Sequence, residues 1–74
     1  MFVISKDGAT AVDMELVTAI RIENKENQIS VKVRADGIWL TMATFNSNNE
    51  NANYKAAQAC LADLVKMLNG GADK

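Results

Sequence analysis

The spacing of apolar residues changes once along this chain. Through residues 17–45 its period is two, as in strands with one buried face; through residues 54–68 it is close to the roughly 3.6 of a helix. Plotted at about 100° per residue, Tyr54, Ala57, Leu61, Leu64, Val65 and Leu68 share an arc of about 100°, the width of one core-facing stripe. Lys55, Ala59, Asp63 and Lys66 lie on the opposite side. Alanines at 52, 56, 57, 59 and 62 favour the helix and keep its surface low, so a sheet can approach closely. Ala56, Cys60 and Met67 widen the apolar arc on one side to about 160°, and a stripe that wide touches two things: the sheet, and either a loop or a second subunit.

The helix ends are marked by different chemistry. Ser47 and Glu50 have capping-box spacing, which places the start between 48 and 53, with Asn51 and Asn53 as other caps. Gly70, after Asn69, suits the left-handed position that closes a helix. The sequence therefore predicts a helix over about 50–69, an asparagine-rich connection over 46–53 and a frayed tail over 70–74.

Ahead of the helix, five strands are predicted. Residues 1–5 and 9–12 form a hairpin about Asp7 and Gly8, a pair suited to a two-residue type I′ turn, with Ile4 opposite Ala11 and Val3 opposite Val12. Phe2 and Ile4 share one face of it, Met1 and Val3 the other, and both faces are apolar. Asp13 initiates a turn or a single helical turn over 13–16. Strands over 17–23, 28–34 and 38–45 then form a meander, joined by a four-residue polar loop, 24–27, and by a second Asp-Gly, Asp36-Gly37. These loops pair Ile22 with Ile29, Ile20 with Val31, Val33 with Leu40 and Val31 with Met42, and both sets turn the same face inward. On the outer face Trp39 lies opposite Arg34, Thr41 opposite Lys32 and Ala43 opposite Ser30. The predicted class is α+β: an antiparallel sheet of about five strands, N-terminal hairpin plus meander, capped by one C-terminal amphipathic helix.

Size makes this one domain, 1–74, near the lower limit at which an apolar core suffices alone, and this favours self-association as a homodimer. Eight Lys and Arg against nine Asp and Glu leave a net charge of −1, without the basic bias that drives binding to phosphate backbones. A single cysteine forms no internal disulfide, and no apolar run reaches membrane-spanning length, so a soluble, cytoplasmic protein is expected.

Candidate chemistry is sparse. Cys60 has no histidine to act as its base, and one cysteine without histidine cannot make a structural zinc set, so it reads as a buried apolar filler. Asp7 and Asp36 belong to turns, Asp13 and Glu50 to caps, Glu23 and Glu26 to a solvated hairpin end. Gly8, Gly37, Gly70 and Gly71 are isolated turn or cap glycines, unlike a phosphate-binding loop. No catalytic residue, metal or cofactor is expected. The most functional-looking group is a basic stripe, Arg21, Lys32 and Arg34, beside Trp39, interrupted by Glu23. It reads first as an Arg34–Trp39 cation–π pair on a wet face, next as a buried contact with a partner chain, and last as a nucleic-acid platform.

The run Phe2 to Gly8, then Val12 to Ile22, then Leu40 to Met42 and a terminal amphipathic helix resembles a group of small uncharacterised bacterial and prophage-encoded proteins. These open with apolar residues and Ser-x-Asp-Gly and end in one helix. The resemblance implies an antiparallel sheet capped by a helix, loosely like a reduced pleckstrin-homology arrangement, and carries no activity or functional residues. The asparagine-rich insert departs from that group's shorter, more acidic connection. The expected function is a non-enzymatic interaction or structural module of bacterial or phage origin, self-associating or binding a protein partner. The alternative is a small nucleic-acid-binding protein using Arg21, Lys32, Arg34 and Trp39. For oligomer contacts the candidates are Ala56, Cys60 and Met67, the Trp39 face, or a strand edge.

Overall fold

The computed structural model describes residues 1–26 and 28–69. The chain is α+β, and the described residues form five strands in two antiparallel sheets and one α-helix. Strands β1 (Phe2–Ile4) and β2 (Ala11–Asp13) form the smaller sheet. A 3-10 turn at Met14–Leu16, capped by Asp13 Oδ1 accepting from Glu15 N–H at 3.0 Å, leads into β3 (Val17–Lys25), β4 (Gln28–Ala35) and β5 (Ile38–Phe45). These three strands lie side by side in chain order, and helix α1 (Glu50–Leu68) packs against all of them.

The β4–β5 turn is the predicted one: Asp36 and Gly37 have φ of 54° and 79°, the pair of positive angles that a type I′ hairpin needs. Before β4 the chain departs from expectation. β3 continues to Lys25, β4 begins at Gln28, and Glu26 takes φ 55°, so a tight turn replaces the four-residue loop. Ile22 therefore faces Val31, not Ile29, and Ile20 faces Val33, not Val31. The slip is two residues, and because side chains alternate with period two, the same isoleucines still point inward. No glycine marks this turn, which is why a longer loop was expected.

A second difference lies in β5. Lys32 faces Thr41, but Val31 faces Ala43, so Met42 is an extra residue in a β-bulge. Met42 and Ala43 are both buried, and Thr44 takes the outward place opposite Ser30 that was expected for Ala43. The bulge also serves a join: Met42 C=O, on the free edge of β5, accepts from Lys6 N–H at 2.9 Å and ties the N-terminal hairpin to the larger sheet.

The hairpin pairs Val3 with Val12 and Ile4 with Ala11 as predicted, but its turn is not the two-residue form. Gly8 N–H donates to Ser5 C=O at 2.9 Å and Ser5 N–H to Thr10 C=O at 2.7 Å, with positive φ only at Gly8. Asp7 Oδ1 accepts from Ser5 Oγ–H at 2.5 Å and from Ala9 N–H at 3.0 Å, so the aspartate serves the turn through its side chain. Val12 is buried and Val3 half-buried, whereas Phe2 and Ile4 point to solvent at 68% and 66% exposure.

Val31, Val33 and Ala57 are all 0% exposed and define the core, with Met14, Ile29, Met42 and Leu64 around them. The helix is turned roughly 50° from the predicted stripe, taking about 100° per residue. Asn53, Ala57 and Leu64 are its buried residues and Ala56, Cys60 and Leu61 are half-buried, while Tyr54, Val65 and Leu68 are exposed. Asn53 explains the rotation. Its Oδ1 accepts from Ser47 N–H at 3.2 Å and Ser47 Oγ–H at 2.7 Å, and its Nδ2 donates to Ser47 C=O at 3.0 Å. A polar side chain so fully bonded is stable inside, and turning Tyr54 inward would break all three bonds. Ser47 is thereby engaged, and Asn49 Oδ1 caps the helix instead, accepting from Ala52 N–H at 3.0 Å. Asn69 is the residue at the C-terminal cap; the cap expected at Gly70 and the tail beyond it lie outside the described residues.

These faces separate two neighbouring substitutions. Leu64→Ala should cost about 2–5 kcal/mol in urea unfolding, and Val65→Ala, on the exposed flank, less than about 1 kcal/mol. Equal costs would mean that the helix is turned the other way.

Candidate interaction surfaces

On the outer face of the larger sheet, period-two alternation brings Arg21, Glu23, Lys32, Arg34 and Trp39 together. Arg21 faces Lys32 and Arg34 faces Trp39, as the ladders require. The cation over the tryptophan is nevertheless Arg21, with its guanidinium carbon 4.1 Å from the ring centre, and not Arg34. The contact crosses β4 from one outer strand to the other, and small Ala19, opposite Arg34 on β3, leaves the face low beside it. A ladder argument pairs only direct neighbours, so it misses a long arginine reaching diagonally to a large ring.

Glu23 joins the rest. Its Oε1 lies 3.0 Å from Lys32 Nζ and its Oε2 accepts from Arg21 Nη2 at 3.1 Å. The hydrogen bond and charge of Lys32, then the charges of Arg21 and Lys25, hold the Glu23 carboxyl below its usual value of 4.5. Two of the three expected cations thus share one carboxylate, and Arg34 makes no ion pair among the described residues. Ser30 and Thr44 add a hydroxyl pair at 3.4 Å on the same face.

The helix presents different chemistry on its two flanks. Cys60 and Met67 line a small apolar cleft with Val3, Ile4, Met42 and Leu64, on the side of β5 and the N-terminal hairpin. Ala56 and Cys60 are half-buried there, and Met67 is 37% exposed. Burial pushes the Cys60 thiol up, the opposite of what an activated nucleophile needs. The other flank runs along β3. Tyr54 shares an open groove with Asn24, Glu26 and Ile29, and Val65 and Leu68 continue that side of the helix. Tyr54, Val65 and Leu68 are 45%, 38% and 37% exposed, and Ile20 and Ile22 of β3 are only half-buried.

Among the described residues no group of three acidic, histidine or cysteine side chains is arranged to hold a metal ion, and no helix is long and apolar enough to cross a membrane. No family model matches the sequence, and neither a curated protein nor a solved structure is similar to it.

The Glu23 network is open to titration. A folded-state value below 4.5 means that the carboxylate's stabilising contribution is present above 4.5 and lost as the pH falls through the folded value. NMR should follow Glu23 to a midpoint below 4.5 in the native chain, and Lys32→Met should move that midpoint upward. An unmoved midpoint would show that Lys32 is not its partner in solution.

Proposed function

We propose that this chain is a non-enzymatic interaction module that works as a homodimer, of the bacterial or phage kind its sequence resembles. One observation carries the reading: Tyr54, Val65 and Leu68 are left exposed along one flank of the helix, beside a sheet edge that no strand of the described chain covers. A domain this small gains most by covering such surface with a second copy of itself. The Phe2 and Ile4 face of the hairpin, at 68% and 66% exposure, is a further apolar surface available to a protein partner.

The nucleic-acid reading keeps one supporting observation, Arg34 opposite a half-buried Trp39 and without an ion pair among the described residues. Against it stands Glu23, which neutralises part of the stripe and repels phosphate at its centre.

Two measurements separate these functions. Light scattering over a tenfold range of concentration should give twice the mass of the chain at the upper end; the mass of a single chain throughout would overturn the homodimer. Salt-dependent binding to single-stranded DNA or RNA, lost in Trp39→Ala, would favour the second reading.

A further inference from the structure

We propose that two copies join edge to edge through β3, antiparallel about a two-fold axis at Ile22, making one continuous six-stranded sheet. The inference deepens the homodimer reading above and rests on it. β3 is nine residues long and lies at the edge of its sheet, with a strand on one side only among the described residues. Such an edge offers a row of unpaired N–H and C=O groups to another strand.

Pleat and charge together select the partner and the register. In an antiparallel pair, opposed residues point to the same face, so the inward Ile20 and Ile22 must meet inward residues and the outward Arg21 and Glu23 must meet outward ones. Four registers about a symmetry axis satisfy this near the middle of the strand, and one of them, at Ile20, sets Arg21 against Ala19 and gives neither Arg21 nor Glu23 a charged partner. An axis at residue 21 opposes two arginines, and an axis at residue 23 opposes two glutamates; like charges directly opposite are destabilising. An axis at Ile22 sets Arg21 of each copy against Glu23 of the other, twice, and brings the two Ile22 side chains together on the inner face. In the single chain Arg21 reaches across β4 to Trp39 and Glu23 reaches to Lys32; in the dimer both side chains turn back to the seam, where the two Arg21 and two Glu23 form a four-charge square of alternating sign. A strand of unrelated sequence lacks this match, whereas a second copy supplies it by symmetry.

The helix completes the surface. Tyr54, on an exposed flank with Val65 and Leu68, shares a groove with Asn24 of β3, so this flank of each copy adds apolar area on the inner side of the joined sheet. The contact then combines a hydrogen-bonded ladder with apolar area beside it, as a stable interface needs.

The test uses the full chain. Arg21→Glu should raise the dimer dissociation constant about tenfold or more, since it opposes like charges at two symmetric positions. The exchanged double variant, Arg21→Glu with Glu23→Arg, should restore dimerisation, because the square re-forms with its signs reversed. Independently, a spin label at Lys25→Cys in a Cys60→Ser background reads the register: strand rise places the two labelled backbones about 20 Å apart for an axis at Ile22, about 26 Å for residue 21 and about 13 Å for residue 23. A dimer with none of these separations, indifferent to Arg21→Glu, would overturn the β3 pairing and leave the homodimer standing. A single-chain mass at every concentration would overturn both.

Discussion

The seam between the helix and the middle strand is the contact on which this structure depends. Val31 and Val33 on β4 and Ala57 on α1 are wholly removed from water, and the other buried apolar residues cluster with them. The geometry follows from size. An alanine at the centre of the helix lets its backbone come close to the sheet, and the valines fill the pleat beneath it. With one helix and three strands, only one face of the sheet can be covered, so the other must be made stable in water. The Arg21–Trp39 stack and the shared carboxylate of Glu23 do this with side chains that are half polar and half apolar.

Two local irregularities adapt this small layer to the rest of the chain. The bulge at Met42 turns both Met42 and Ala43 inward and leaves the Met42 carbonyl at the edge, where it accepts from Lys6 N–H. Without an extra residue in β5 the alternation would carry Ala43 outward. The other irregularity is Asn53, a polar residue at 5% exposure whose three bonds to Ser47 anchor the connection before the helix. Together they set where the hairpin attaches and which way the helix faces.

That facing has a functional consequence. By turning Asn53 and Cys60 towards its own sheet, the helix leaves Tyr54, Val65 and Leu68 exposed on its other flank, with Tyr54 beside Asn24 of β3. Among the described residues no strand pairs with the outer side of β3, while β5 carries the hairpin through Lys6 N–H and Met42 C=O.

Much of this was legible in the residue pattern, and the division has physical causes. Period-two and period-3.6 spacing determined the strands, the helix and the inner face of the meander, because burial acts on side chains one by one and survives a two-residue slip in register. Asp36-Gly37 was legible too, since few residues adopt its two positive angles. Tertiary structure alone decided the turn at Glu26, the bulge at Met42, the rotation of the helix and the choice of Arg21 over Arg34 on Trp39. Three of these depend on a partner outside their own element: Ser47 for Asn53, Lys6 for Met42, Trp39 for Arg21. Hydropathy scores a side chain by its own chemistry, whereas a buried asparagine or a diagonal arginine is stable only through the group it meets in the folded chain.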